Sequence, residues 1–318
     1  MSRPGSVSMR RVKEEGQSVT ASADPSTSIC LATFDQYRGL LFSIAYRMLG
    51  SVADAEDMLQ ETFIRWQQSS EHNIESPRAF LVTIISRLCI NQLQSARVQR
   101  EQYFGEWLPE PIVTNTASDP FDILKIDESL SLAFLVLLER LTPVQRAVFL
   151  LREVFEYDYS EVARIVAQSE ANCRQILRRA RQHVEVLRPR FKAPERKRTD
   201  LFERFLEAVG TGEMGGLIDL LAKDVVLHSD GGGKGVAVPN EVRGADRVVR
   251  GILGGLQRLV PRNLVRKLGY INGSPGVINY LEGKPHSVLT LEIRDGLIRE
   301  IFIITNPEKL SHIPPLAE

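Results

Sequence analysis

Three groups of residues in this 318-residue chain have the types and spacing for chemistry. The first lies in YDYSEVARIVAQSEANCRQILRRAR, from Tyr157 to Arg181. Ala171, Arg174, Gln175, Arg178 and Arg181 share one helical face there, with Asn172 beside them. Arg and Gln suit base edges and phosphates in a major groove; the competing reading is a solvated basic face. The second group is His228 and Asp230, since a histidine near a carboxylate can act as a tuned general base. They stand two residues apart on a strand edge, where a lone histidine is more often structural. The third is Asp230-Gly231-Gly232-Gly233-Lys234-Gly235, which invites a phosphate-loop reading and fails it. His228 holds the position of the first glycine, and Gly235 stands where Ser or Thr must follow the lysine. The run is better read as a turn that lets backbone approach another surface closely.

The elements that must position these groups follow from periodicity and capping. In the Tyr157–Arg181 stretch, Ser160 is expected to cap a short helix carrying Val162, Ala163 and Val166. Gln168-Ser169-Glu170 makes a turn with Ser169 as the next N-cap. Cys173, Ile176, Leu177, Ala180 and Val184 then form the inner face of a second helix, giving a helix-turn-helix. Upstream, Phe34 to about Tyr103 is helical. The first helix closes near Gly50, and Ser51 with Asp54 marks a capping box for the second. That second helix buries Val52, Ala55, Leu59, Phe63 and Trp66 and exposes Asp54, Asp57, Gln60 and Glu61. By themselves those acids suit a helix dipole and a solvated surface. Ser76-Pro77 opens a third helix with Phe80, Leu81, Ile84, Ile85 and Leu88 inward. Arg87, Asn91 and Gln94 form its polar stripe, followed by Arg97 and Arg100. With the preceding loop, which carries His72 and Asn73, such a stripe can grip single-stranded DNA.

These residues carry a resemblance. FDQYRGLLFSIAYRMLGSVADAEDMLQETFIRW, SPRAFLVTIISRLCINQL and the segment from LTPVQRAVFLLREVFEYDYSEV to RRAR resemble regions 2 and 4 of extracytoplasmic-function sigma factors, in the family's order and spacing. DAEDMLQETF is the most specific part. The resemblance implies that the acidic second helix, through Asp54, Asp57, Gln60 and Glu61, docks on the β′ clamp helices of core RNA polymerase. It implies that His72, Asn73, Arg87, Asn91, Gln94 and Arg97 serve the −10 promoter element. Ala171, Asn172, Arg174, Gln175, Arg178 and Arg181 would serve the −35 element.

Phe104 to Asp122 contains three prolines and reads as a linker, unusual for its Trp107-Leu108-Pro109-Glu110-Pro111. A large aromatic in a stiff segment suits an anchor for a partner surface. Ile123 to Leu141 reads as an apolar helix, and Thr142-Pro143-Val144-Gln145 as a capping box opening the next. After a basic connector to Arg198, glycine becomes frequent and strand-like alternation appears. A helix over Asp200–Leu221 breaks near Gly210–Gly216; a strand covers Val225–His228 and a helix Gly244–Leu259. Four strands follow, at Leu264–Ile271, Val277–Leu281, Ser287–Arg294 and Leu297–Thr305. Helices followed by a curved antiparallel sheet make an α+β domain, which looks like a SnoaL-like, NTF2-like cone. With WLPEP, DGGGK and NPEKL (Asn306, Pro307, Lys309), the chain resembles sigma factors with a fused SnoaL-like domain, the sigma-J-like group. The resemblance implies that the fused domain regulates the sigma core. Trp107 and Leu108 are expected to meet the Asp230, Gly231, Gly232, Gly233, Lys234 turn, with Pro109 among the interdomain residues.

The expected fold is therefore multidomain: a disordered tail (1–28), sigma region 2 (29–103), linker (104–122), region 4 (123–190), connector (191–199) and an α+β SnoaL-like domain (200–318). Lys plus Arg and Asp plus Glu both number 40, so net charge is +0 and only its distribution points to partners: basic from Arg174 to Arg198, acidic from Asp54 to Glu61. Cys30, Cys89 and Cys173 are odd in number and far apart, which suggests neither disulfides nor a metal site. The N-terminus lacks the apolar core of a signal peptide, and no stretch reaches the ~18 apolar residues of a membrane span. The expected partners are core RNA polymerase and promoter DNA, with no membrane, in the cytoplasm. No cofactor, metal or catalytic residue is expected, and the C-terminal pocket is a candidate site for a small ligand. The alternatives are a SnoaL-like enzyme using His228 and Asp230, or a ligand-controlled DNA-binding repressor. The second leaves DAEDMLQETF and the third helix without a task.

Overall fold

A computed structural model describes residues 25–69, 74–100, 103–114, 128–185, 195–259, 261 and 263–316. Helix α1 spans Pro25–Leu49, α2 Val52–Gln68 and α3 Pro77–Arg100. α1 starts earlier than Phe34, so residues 25–28, expected as tail, are helical. Ser51 caps α2 by accepting from the Asp54 N–H at 3.1 Å. α2 buries Val52, Ala55, Leu59 and Trp66 as its pattern predicts, but Thr62 is buried as well and Phe63 only half-buried. Thr62 can sit inside because its hydroxyl donates to Met58 O at 2.7 Å, one turn back.

The single helix expected over Ile123–Leu141 is broken in its described part; residues 123–127 lie outside the described residues. A 3₁₀ turn at Glu128–Leu130 is followed by α4, Leu132–Leu138, whose N-cap is Ser131. Thr142 and Gln145 form the expected capping box of α5, Pro143–Glu153. α6 is Tyr159–Val166 and α7 Glu170–Glu185. Asp158, not Ser160, caps α6: Glu161 stands three residues on and returns the bond to the Asp158 N–H at 3.0 Å. Ser160 is followed at that spacing by Ala163, which cannot reciprocate.

The two helical blocks pack against each other, α3 on α5 and α6, α1 on α5. Arg146 of α5 is buried and donates to Met48 O at the end of α1 at 2.6 Å; it also pairs with Glu139 at 2.9 Å. Buried guanidinium groups need such partners.

The C-terminal part begins with α8 (Glu195–Thr211) and α9 (Met214–Leu220), then β1 (Leu221–Asp230), β2 (Val242–Arg243) and α10 (Ala245–Leu259). It ends with β3 (Val265–Ile271), β4 (Ser274–Leu281), β5 (Lys284–Arg294), β6 (Leu297–Ile304) and the short α11 (Pro307–Leu310). The sheet order is β2-β1-β6-β5-β4-β3, with β1 parallel to β6 and every other neighbour antiparallel. Asn272-Gly273, Glu282-Gly283 and Asp295-Gly296 turn the hairpins with positive φ at both residues, as two-residue type I′ turns require.

Both faces of this sheet are buried. Leu227, Val277, Ile298 and Ile301 pack with residues of α8, α9 and α10. Ile278, Tyr280, Val288, Phe302 and Ile304 instead join the core of the helical blocks. Antiparallel sheets commonly leave one face to water; here the second face is covered by the rest of the chain. No described helix is long and apolar enough to cross a membrane.

Candidate functional site

The structure places the expected −35 residues on one exposed face of α7. Cys173, Leu177, Ala180 and Val184 are buried, whereas Ala171, Asn172, Arg174, Gln175, Arg178 and Arg181 are exposed. The turn is as expected, with Ser169 Oγ accepting from the Asn172 N–H at 3.2 Å. The basic side chains differ in freedom. Arg174 pairs with Glu170 at 2.9 Å and lies over the Tyr159 ring, and Arg181 pairs with Glu153 at 2.7 Å. The first pair is local and exposed, worth little by itself; the second ties α7 to the end of α5 through the largely covered Glu153.

On α2, Asp57 and Gln60 are exposed. Glu61 is held by Arg65 at 2.8 Å, and Asp54 is half-buried, accepting from Gln92 Nε2 at 3.4 Å. On α3, Arg87, Asn91 and Gln94 line the outer side. Arg87, however, reaches the helix-turn-helix: its Nε and Nη2 donate to Ile165 O at 2.9 Å and Arg164 O at 2.8 Å. A guanidinium at the C-terminal end of α6 answers the dipole and the unpaired carbonyls there. His72 and Asn73 lie outside the described residues, as does the side chain of Arg97.

Residues 103–114 form a clasp between the helical blocks and the sheet domain. Its centre is Asp230, fully buried at the end of β1. Oδ1 accepts from Tyr103 Oη at 2.6 Å and the Gly232 N–H at 3.0 Å. Oδ2 accepts from the Leu108 N–H at 2.8 Å and from Lys309 Nζ at 2.6 Å. Lys309 also donates to Leu108 O and sits 4.1 Å over the Trp107 ring. The Tyr103 hydroxyl accepts from Asn306 Nδ2 at 2.8 Å; burial and then its bond to Asp230 push its pKa up. Four donors, one of them a cation, are what a buried carboxylate requires.

The expected meeting of Trp107 with the glycine turn is corrected. Trp107 lies on Gly50, where a Cβ would stand 2.8 Å from its ring. The turn instead makes room for Asn306, 2.3 Å from a Cβ on Gly232, and for Phe104, beside Gly233. Leu108 does reach the turn, but through backbone and Asp230. Pro109 follows it in the buried part of the linker. Lys234 reaches outward to Glu308 at 2.5 Å in an exposed pair, and Pro307 opens α11 behind the Asn306 N-cap.

Several clasp residues escaped the sequence reading. Glu110 is bound at the α2 N-terminus by the Ser51 hydroxyl at 2.9 Å and the Val52 N–H at 2.7 Å, a favourable seat for an anion. Asn272, at the tip of the β3–β4 hairpin, plugs into the helical core. Its amide donates to Tyr46 Oη at 2.7 Å and Leu130 O at 2.9 Å and accepts from the Ile112 N–H at 2.9 Å. Asn-Gly announced the hairpin but not its destination. Asn272→Gly keeps the left-handed turn and deletes the amide, so it is expected to cost about 1–3 kcal/mol, read as a lower urea midpoint. An unchanged midpoint would mean that these contacts carry no stability.

Alternation along β1 decides the fate of His228 and Asp230. Leu227 and Ser229 line a cavity of about 200 Å³ under the helices. His228 and Asp230 face the opposite way, onto the linker. His228 Nδ1 bonds Glu106 Oε1 at 2.6 Å, and its ring stacks on Phe302. The acid–base pair imagined for the pocket is therefore not in the pocket. Glu106, His228 and Glu241 place one ligand atom each within 4.8 Å of one another, a geometry open to a cation. His228 already bonds Glu106 Oε1 and Arg243 pairs with Glu241 at 2.6 Å, whereas Glu106 Oε2 is buried without a hydrogen-bond partner.

Two exposed faces on stacked helical blocks, acidic on α2 and basic on α7, are the outline of a transcription initiation factor. The sigma-70 region 2 family matches residues 33–98 and the sigma-70 region 4 family residues 131–184. The chain belongs to the extracytoplasmic-function RNA polymerase sigma factors. It is similar to ECF RNA polymerase sigma factor SigJ of Mycobacterium tuberculosis, 37% identical over 295 residues, covering 89% of this chain and 94% of that protein. The probable sigma factor SigI of the same organism is 31% identical over 281 residues, 88% of this chain and 94% of SigI. The crystal structure of SigJ matches with a TM-score of 0.74 at 36% identity, over 88% of this chain and 98% of that one. This protein is thus a sigma factor for promoter recognition and transcription initiation, with two helical sigma domains followed by an α+β sheet domain.

Proposed function

We propose that the chain docks on the β′ clamp helices of core RNA polymerase through Asp54, Asp57, Gln60 and Glu61. α3, with Arg87, Asn91, Gln94, Arg97 and the His72–Asn73 loop, engages the −10 element. α7 reads the −35 element through Ala171, Asn172, Arg174, Gln175, Arg178 and Arg181. The place of action is that of the polymerase, the cytoplasm. The sheet domain regulates these events by holding the two helical blocks closed.

The observation that carries this reading is Arg87. Nε and Nη2 of Arg87 are spent on the last carbonyls of α6, so closure and engagement of −10 DNA draw on the same side chain. The clasp supports the same view, since it ties the linker between the blocks to the sheet domain. Small-ligand control fits too, because cavity and clasp use adjacent residues: on β1 Ser229 lines the cavity next to Asp230, and just after β6 Thr305 lines it next to Asn306.

Run-off transcription with purified core polymerase, with and without this chain, tests the reading; absence of core-dependent initiation at any promoter would end it. Within α7, Arg178→Ala is expected to weaken binding of a −35 duplex by about 1–3 kcal/mol, the worth of one good base contact. Arg174→Ala should cost less, because Glu170 and Tyr159 already hold that side chain. Fluorescence anisotropy against the cognate and an unrelated duplex distinguishes base reading from phosphate contact. Equal losses on both duplexes would remove the base-reading role from Arg178.

A further inference from the structure

The cavity of about 200 Å³ lies between the sheet and helices α8 and α10, with apolar walls from Phe205, Leu227, Ile252, Val277, Leu289 and Ile303. Two features distinguish it from a packing defect. α10 turns Gly251 and Gly255 toward it, one helical turn apart, and a Cβ on either would meet no atom within 4 Å. Gly251 is exposed and Gly255 half-buried, so the helix leaves this side of the cavity open, at a cost of ~1 kcal/mol per helical glycine relative to alanine.

The second feature is a polar wall. Strand register sets Arg266 opposite Asn279 and Asn279 opposite Ser287, a row across β3, β4 and β5. A register shift between Asn279 and Tyr280 lets His286 line the cavity beside Ser287, where strict alternation would turn it away. Asn279 donates to Ser287 Oγ at 2.9 Å. Arg266 and His286 have no hydrogen-bond or ion-pair partner among the described residues. No described lining residue is acidic. Arg266 is exposed and so marks the mouth, where a head group meets water.

We propose that this cavity binds a small amphipathic carboxylate, its apolar body inside and its carboxylate at Arg266, with His286 and Asn279 within the same polar wall. The proposal rests on the reading of the cavity as a small-ligand site and adds the chemical class. A dry cavity of ~150 Å³ accepts benzene, so this one suits a single ring or an acyl chain of about eight carbons.

The test is isothermal titration of the full chain with octanoate, octan-1-ol and octylamine. Octanoate is expected to bind about tenfold more tightly than octanol, the worth of a charge-assisted contact, and octylamine most weakly. Arg266→Ala should bring octanoate to the level of octanol. Gly255→Leu, which fills the open space and improves helix propensity, should abolish binding of every probe while the fold, checked by circular dichroism, persists. Equal binding of octanoate and octanol, or an Arg266→Ala variant without effect, would overturn the carboxylate class and leave a ligand cavity. Absence of binding by every probe, or binding that survives Gly255→Leu, would overturn the cavity as a ligand site and the class with it.

Discussion

Charge reversal of Asp57 and Glu61, both to Lys, is expected to abolish binding to core RNA polymerase without harming the fold or the affinity of the free chain for a −35 duplex. Neither side chain supports the core of α2. Asp57 is exposed, and Glu61 makes only a half-exposed pair with Arg65, which contributes little to stability. The partner surface implied by the proposed docking must be electropositive, so two added lysines convert attraction into like-charge contact. Such juxtaposition costs several kcal/mol, on the order of a hundredfold or more in affinity. Asp54 is left out of the variant because it is half-buried against Gln92 near the capped end of the helix. The measurement is native-gel or anisotropy titration with core polymerase, alongside duplex binding by the free chain. Retained core binding would place the polymerase interface elsewhere.

Lys309→Met is expected to open the clasp. The substitution keeps an unbranched stem as far as Cε and removes the cation from a pair in which Asp230 is fully buried and Lys309 nearly so. Breaking one side of a buried pair costs about 3–5 kcal/mol, because the other charge stays buried. That loss should appear as a lower denaturation midpoint and as new protease sensitivity in residues 103–114. If closure restrains the sigma blocks, transcription at equal occupancy of core should rise about 5- to 150-fold, the usual range of domain coupling. Pairing Lys309→Met with Asp230→Asn should recover part of the stability. A point variant is a cleaner test than removal of the sheet domain, which would bare Leu108, Ile112 and Leu130, all fully buried at this junction. An unchanged midpoint together with unchanged transcription would leave the clasp without a regulatory task.

Much of this was legible in the amino acids. Periodicity placed Cys173, Leu177, Ala180 and Val184 inward and the arginines of α7 outward, because a helix of 3.6 residues per turn leaves few choices. Thr142 and Gln145 announced their capping box, and the Asn-Gly and Asp-Gly pairs announced hairpins, because these signals act within four residues. The misses near helix ends have local causes also. Asp158 displaced Ser160 as a cap because its partner Glu161 stands at the right spacing.

What the sequence by itself determined, then, is the set of elements, their outward faces and the membership in a sigma family carried by DAEDMLQETF. Only the tertiary structure decided what the outward faces meet. Asp230 bonds Tyr103, 127 positions away, and Asn272 bonds Tyr46, 226 positions away; no local periodicity encodes such pairings. Alternation along β1 showed that His228 and Asp230 share a face, but not whether that face lines the cavity or the linker. Arg87 read as a DNA-facing side chain and proved to be bonded to the end of α6. The physical reason is the same in each case. Burial and hydrogen bonding depend on which element arrives opposite, and a sheet face becomes core or surface only when another part of the chain covers it.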